Sequence, residues 1–264
     1  MALELFRVDG KVAMITGASR GIGKVVSHVM VEAGAKVAIC ARNQEQLNEA
    51  VHEVQQLGGE VLAVRADVTS EPDLQAFVDR TLGHFGRIDF LVNNAGGNAM
   101  VKGFLDWKNQ EMLDTVKLNL CSAYVASQIV GRHMIKAGKG CIVNMSSEGA
   151  TNLSKGFLPY AVAKAALNTL TRLLAQELAP KVRVNALSLG PIMTELSEEA
   201  RAHNPDNWDR MVKNLPLRTI GDPRCVALAA LFLCSEASSF VTGIVMPIAG
   251  GGPGPVMDFG LPEL

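Results

Sequence analysis

Short apolar runs alternate with longer amphipathic stretches along most of the chain. Val12 to Ile15 is the first run, and Ile22 to Ala33, closed by Gly34, is the first helical stretch. Lys36 to Cys40 reads as a short buried strand, after which Asn43 caps a helix to Leu57 that stops at Gly58-Gly59. Glu60 to Ala66 is a strand ending at Asp67, Glu71 to Phe85 an amphipathic helix, and Ile88 to Val92 a strand followed by the polar turn Asn93-Asn94-Ala95-Gly96. A long helix over Asn109 to Lys136, a strand over Gly140 to Met145, a helix over Pro159 to Ala179 and a strand over Val182 to Leu187 continue the pattern. Residues 190–216 loosen it, setting Glu198, Glu199, Arg201, Asp206 and Asp209 among Met193, Leu196, Trp208, Met211 and Leu215. That mixture predicts one or two short helices outside the sheet, a substrate lid hung from a strand end. A helix over Pro223 to Cys234 and a strand over Val241 to Ile248 lead into a Gly- and Pro-rich tail, 249–264, containing Phe259 and Leu261. Alternating strands and helices imply right-handed βαβ crossovers, so the fold class is α/β: a Rossmann-type, doubly wound parallel sheet of about seven strands with helices on both faces. Residues 1–264 read as one domain. Ligands of such sheets bind at the carboxyl ends of the strands.

The segment Thr16 to Gly23, T-G-A-S-R-G-I-G, joins the first strand to the first helix. Gly17, Gly21 and Gly23 let backbone approach a phosphate, and the N–H groups and positive dipole end of the helix attract its charge. The spacing of the first two glycines differs from the usual G-x-G-x-x-G, so strand-turn-helix context carries the nucleotide reading. Gly17 to Gly21 also satisfies G-x-S-x-G, the hydrolase nucleophile elbow, with Ser19 as nucleophile. An elbow needs an oxyanion donor from a loop after an earlier strand, and only one strand fits ahead of Ser19.

Composition narrows the partners. A formal net charge of -1 with both signs interleaved offers no basic field for nucleic acid or an anionic membrane, which leaves a small molecule. Met1 to Gly10 carries Glu4, Arg7 and Asp9 in place of a signal peptide's apolar core, and the run Cys225 to Cys234 is about half a membrane span. The expectation is a cytoplasmic protein. Cys40, Cys121, Cys141, Cys225 and Cys234 lack C-x-x-C spacing and neighbouring His, which points away from a metal site or a disulfide framework.

Tyr160 and Lys164, four apart in Tyr160-Ala161-Val162-Ala163-Lys164, share one helix face. An ammonium beside a phenol favours phenolate and is expected to lower the Tyr160 pKa from about 10. Ser147 lies upstream at the end of the strand Gly140 to Met145, with Ser146 the competing candidate. Neighbouring strand side chains face opposite ways, so only one of the two reaches the crevice. Asn119, in Lys117-Leu118-Asn119-Leu120, is polar within an apolar stretch of the long helix, either a satisfied core amide or part of the site.

These residues together resemble the single-domain short-chain dehydrogenases/reductases over roughly Asp9 to Ile248. The glycine motif matches Thr16 to Gly23, the N-N-A-G turn Asn93 to Gly96, the helical Asn Asn119, and the catalytic Ser, Tyr and Lys Ser147, Tyr160 and Lys164. One departure is Leu189-Gly190-Pro191, where the family has Pro-Gly and this chain sets a Pro after the Gly. The resemblance implies hydride exchange between nicotinamide and a carbonyl or alcohol carbon. Tyr160 would carry the proton and Ser147 bond the substrate oxygen. Lys164 would bind the ribose hydroxyls, with Asn119 holding a water that links Lys164 to solvent. It further implies cofactor contacts at Gly17, Ser19, Arg20, Gly21, Ile22, Gly23, Asp67, Val68, Asn94, Ala95, Gly96, Ile192 and Thr194, and a homotetramer packed through the helices over 109–136 and 159–179. The end of the second strand, Cys40-Ala41-Arg42, lacks the carboxylate that binds an NAD ribose, and Arg42 with Arg20 is expected to hold the 2′-phosphate of NADP(H). A hydrolase using Ser19 and a non-turnover redox sensor are the alternatives from other classes.

Overall fold

The computed structural model describes residues 2–97 and 100–252. Seven strands form one sheet in the order β3-β2-β1-β4-β5-β6-β7: β1 (Val12–Thr16), β2 (Lys36–Ala41), β3 (Val61–Arg65), β4 (Phe90–Asn93), β5 (Gly140–Ser147), β6 (Val182–Leu189) and β7 (Val245–Ile248). Every neighbouring pair is parallel. The chain runs outward from β1 to β3, then returns to lay β4 on the other side of β1. That reversal opens a crevice at the carboxyl ends of β1 and β4, where helices leave for opposite faces.

Two apolar layers flank the sheet. One packs α1 (Gly21–Glu32), α2 (Gln44–Gln56) and α9 (Pro223–Cys234) through residues such as Val26, Met30, Leu47 and Leu231. The other packs α3 (Glu71–Phe85), α5 (Ser122–Ala137) and α6 (Leu158–Glu177) through Leu74, Phe77, Val130, Met134 and Ala175. Strands buried on both faces explain the near-continuous apolar runs. Asn43, Ser70 and Asp222 cap α2, α3 and α9 with side-chain oxygens, which fixes the helix starts. A buried polar chain crosses the centre: Asn93 donates to Asn144 (2.9 Å) and Ser127 (3.0 Å), and Asn144 donates to Thr171 (2.9 Å).

Three expectations need correction. The long helix is wound in three parts, α4 (Asn109–Val116), a π segment (Lys117–Cys121) and α5, with the Ser122 N–H reaching back to the Lys117 carbonyl. β7 begins at Val245 instead of Val241, because the Asn185 side chain takes the pairing itself, donating to the Val241 carbonyl and accepting from the Ile244 N–H. β4 begins at Phe90 instead of Ile88, although Ile88 is buried. The loosened stretch forms α7 (Glu195–His203) and α8 (Pro205–Asn214). Phe259 and Leu261 lie outside the described residues.

Candidate active site

The glycine turn is built around close contacts. Gly17 and Gly21 have φ of 65° and 55°, a region that disfavours side chains. A Cβ on Gly17 would stand 2.9 Å from the Ala95 Cα, and one on Gly23 would stand 2.5 Å from the Gly17 carbonyl oxygen and against Asn94 Nδ2. Asn94 Nδ2 donates to the carbonyls of Thr16 and Gly17, both at 2.9 Å, while the Thr16 hydroxyl accepts the N–H groups of Asn94 and Ala95. Asn94 therefore braces the turn from behind, with both amide hydrogens engaged. The first turn of α1 has no side-chain cap on its N–H groups. These features fit a dinucleotide phosphate: an uncapped helix start, two left-handed glycines and a third position where no Cβ fits.

At the adenosine end, Gly17 and Ala18 donate to the Cys40 carbonyl, tying the turn that carries Arg20 to the end of β2, which Arg42 follows. Both arginines are exposed, and Arg65 on β3 donates through Nε to the Arg42 carbonyl at 3.2 Å. Asp67 accepts from the N–H and hydroxyl of Thr69, which holds its carboxyl below the usual range, with the Arg42 charge adding to the effect. Val68 is buried in the core beside it. Ser19 and Ile22 are half-buried on the turn.

Next along the crevice, β5 and α6 bring Ser147, Tyr160 and Lys164 together. The Ser147 hydroxyl hydrogen-bonds the Tyr160 phenol and accepts the Gly149 N–H at 3.1 Å. Ser146 points the other way and donates to the Lys164 carbonyl at 3.4 Å, so strand alternation separates the two serines as expected. Lys164 is 4 % exposed, donates from Nζ to the Met145 carbonyl at 2.8 Å and lies 5.6 Å from the Tyr160 ring centre. Burial pushes the Lys164 ammonium down to about 8. The expected lowering of Tyr160 does not emerge: burial pushes the phenol above its ordinary value, opposed only in part by the Ser147 hydrogen bond. Desolvation of the phenolate outweighs that hydrogen bond.

Asn119 is buried on the π segment. Its Oδ1 accepts the Gly97 N–H at 2.9 Å, and Nδ2 donates to the carbonyls of Gly97 (2.9 Å) and Thr115 (3.0 Å). A Cβ on Gly96 would sit 2.8 Å from Asn119 Oδ1 and 3.2 Å from Lys164 Nζ, so the N-N-A-G turn passes directly over this pair. The amide is thus both a satisfied buried group and a neighbour of Lys164.

A cavity of about 220 Å³ opens over the Ser147–Tyr160 pair, lined also by Phe157, Ile192, Trp208 and Met211. The segment that supplies Ile192, Trp208 and Met211 to it begins at the unusual Leu189-Gly190-Pro191 step. Leu189 still pairs with Ile248, Gly190 fits because a Cβ would stand 2.8 Å from the Ala249 Cα, and Met193 donates to the Gly221 carbonyl. Backbone pairing to β7 and Gly221 sets the loop path without the Pro-Gly order. Thr194 then starts α7, and its Cγ2 and Glu195 Oε2 each come within 3.7 Å of where a Gly21 Cβ would stand. The start of α7 therefore lies over the glycine turn.

Sequence reasoning passed over Glu148, Asn152 and Ser154, which also line the cavity. Glu148 opens a 3₁₀ turn directly after Ser147 and its Oε1 accepts the Ser188 hydroxyl at 2.6 Å. The signal was a charged residue one step beyond a strand's carboxyl end, a place that faces the crevice by topology alone.

A parallel doubly wound sheet with a phosphate-fitting turn at its switch point, leading to a Ser-Tyr pair that lines a cavity with a buried Lys beside it, defines a dinucleotide-dependent oxidoreductase. The sequence model described as enoyl-(acyl carrier protein) reductase matches residues 17–252. The chain is 40% identical over 247 residues, 93% of its length and 95% of the relative's, to the 7alpha-hydroxysteroid dehydrogenase of Escherichia coli K12. It is 36% identical over 247 residues, 92% of its length and 96% of the relative's, to the 3-oxoacyl-[acyl-carrier-protein] reductase of Chlamydia pneumoniae. A solved 7 alpha-hydroxysteroid dehydrogenase, complexed with NADH and 7-oxo glycochenodeoxycholic acid, superposes with a TM-score of 0.91 at 38% identity, covering 97% of this chain and 98% of that one. The chain belongs to the short-chain dehydrogenase/reductase family and is an oxidoreductase of that nicotinamide-using group.

Proposed function

We propose that this protein is an NADP(H)-dependent oxidoreductase that interconverts a mainly apolar ketone and its secondary alcohol. The observation that carries the reaction type is the hydrogen-bonded Ser147–Tyr160 pair under the cavity, with Lys164 buried beside it. When bound, the nicotinamide supplies the hydride acceptor or donor. The chain supplies the rest. Ser147 hydrogen-bonds the substrate oxygen. Tyr160 gives or takes that oxygen's proton, and its burial keeps the phenol protonated and ready to donate at neutral pH. Lys164 hydrogen-bonds the ribose hydroxyls of the dinucleotide. Asn119 fixes the turn over Lys164, and a water relay on its side chain has only the remaining Oδ1 lone pair to use. Phe157, Ile192, Trp208 and Met211 exclude water around the reacting carbon.

The preference for NADP(H) rests on the end of β2. Cys40 and Ala41 offer no carboxylate to repel a 2′-phosphate, while Arg42 and Arg20 are exposed on the two segments that the Cys40 carbonyl ties together. Asp67, Val68 and Ile22 border the adenosine and pyrophosphate path, with Ile192 and Thr194 beside the nicotinamide amide. We assign the chain to one catalytic domain in a cytoplasmic homotetramer, packed through the helices over 109–137 and 158–177, with 190–216 as its lid. Among the described residues no helix is long and apolar enough to cross a membrane.

The test is steady-state turnover of ketones with NADPH and NADH, in the unmutated protein and in Arg20→Ala with Arg42→Ala. Two charge-assisted contacts favour NADPH by roughly 10² to 10⁴ in kcat/KM, less where water screens them. Removing both charges raises KM for NADPH far more than for NADH. Equal or better kcat/KM with NADH in the unmutated protein refutes the cofactor assignment.

A further inference from the structure

The substrate cavity holds a charge that neither the hydride transfer nor the fold requires. Among the described residues that line it, Glu148 is the one ionisable side chain besides Tyr160, and no Lys, Arg or His faces it there. The side chain is half-buried, and the partner shown for its carboxylate is a neutral one, the Ser188 hydroxyl on Oε1 at 2.6 Å. Glu148 directly follows Ser147, so its carboxylate lies one residue from the hydroxyl that holds the reacting oxygen. Ser147 and Glu148 both line the cavity, so a substrate held at Ser147 can also meet the carboxylate.

Resting on the oxidoreductase reading above, we infer that Glu148 is a specificity-determining residue that binds a second hydroxyl on the substrate. The substrate class is then a neutral apolar alcohol or ketone with a hydroxyl on a neighbouring carbon, a vicinal diol or α-hydroxyketone. The carboxylate accepts that hydroxyl in a charge-assisted hydrogen bond, and Ser188 orients it. Anionic substrates with a carboxylate at that carbon are repelled.

The experiment compares trans-1,2-cyclohexanediol, cyclohexanol, trans-2-aminocyclohexanol and trans-2-hydroxycyclohexanecarboxylate as substrates for the full chain with NADP⁺ or NAD⁺. The expected kcat/KM ratio of diol to cyclohexanol is about 10 to 100, the worth of one charge-assisted hydrogen bond. In Glu148→Leu the ratio falls toward one and the hydroxy acid gains relative to the diol. Glu148→Gln, which keeps an acceptor without the charge, gives an intermediate ratio, and matching melting curves exclude misfolding as the cause. A ratio near one in the unmutated protein, or a ratio that survives in Glu148→Leu, overturns the inference, and a preference for the amine overturns the choice of a hydroxyl. A second readout needs no turnover: Trp208 lines the cavity, so quenching of its fluorescence reports diol binding, expected to weaken about tenfold in Glu148→Leu. If no alcohol turns over with either cofactor, the oxidoreductase proposal fails while the Trp208 titration still decides the role of Glu148. Turnover with no effect of Glu148 in either assay sinks this inference alone.

Discussion

Replacing Lys164 by Met is expected to make the protein more stable at neutral pH while ending turnover. Lys164 is 4 % exposed, and burial takes its ammonium from 10.5 down to about 8. At about 1.36 kcal/mol per pH unit, that gap means burial of the charged form opposes folding by about 3 kcal/mol. The sign follows from proton counting. Below pH 8 both the folded and unfolded chains hold the proton, so the whole penalty is present. Between pH 8 and 10.5 the unfolded chain still holds a proton that the folded chain has shed, so stability rises with pH. Above 10.5 the penalty is gone. Met removes the penalty but also the 2.8 Å bond to the Met145 carbonyl, a loss of about 1 to 2 kcal/mol. The difference leaves the variant about 1 to 2 kcal/mol more stable at pH 7, or roughly 2–8 °C in Tm for a chain of this size. Thermal unfolding of both proteins from pH 6.5 to 10.5, at one concentration and scan rate, should give a Tm difference that is positive at pH 7 and shrinks to zero or below by about pH 10. A variant less stable at pH 7, or a difference that is flat with pH, would refute the reasoning.

Other expectations follow from the same geometry. Gly23→Ala forces α1 off the Asn94 side chain, and should cost about 2 to 4 kcal/mol from overpacking and weakened hydrogen bonds; unchanged Tm and dinucleotide affinity in a titration would count against the close contact. Tyr160→Phe should lower kcat by about 10² to 10⁴ with little change in dinucleotide affinity, since only the transferable proton is lost; near-full activity would contradict the assigned acid. Ser147→Ala should be severe and Ser146→Ala mild in kcat/KM, and the reverse order would mean that the wrong serine faces the substrate. Light scattering should report a tetramer, and a monomer would refute the assembly proposed for the long helices.

The fold was most legible where a helix boundary carries its own chemistry. The helix over Glu71–Phe85 was read to the residue, since Ser70 caps its start and Gly86, at φ 75°, ends it. Pro223–Cys234 was equally clear, with Asp222 as cap and Pro at the first position. The start of β7 was hidden because a side chain far away in sequence, Asn185, replaces a strand's backbone partner. In the site, periodicity placed Tyr160 and Lys164 on one helix face and left Ser146 and Ser147 as alternatives, and it was the family resemblance that singled out Ser147. The direction of the Tyr160 shift was not legible, because spacing records which groups are near one another and says nothing of how much water they have lost. Glu148 was missed for a related reason: one carboxylate among many in sequence becomes unusual only when the cavity around it is seen to hold no cation.

The wide turn at Lys117–Cys121 makes the number of residues, and not only their kinds, part of the catalytic design. A π turn holds one residue more than ordinary winding, and taking one residue out rotates everything on one side by about 100° relative to the other. Deleting a single residue there would leave α5 seated on the sheet through Ala126, Val130 and Met134, yet would swing Asn119 away from Gly97 and release the turn over Lys164. No point substitution achieves that rotation. In the evolution of such a chain, a three-nucleotide deletion could therefore silence the enzyme in one step while leaving the scaffold intact for another use.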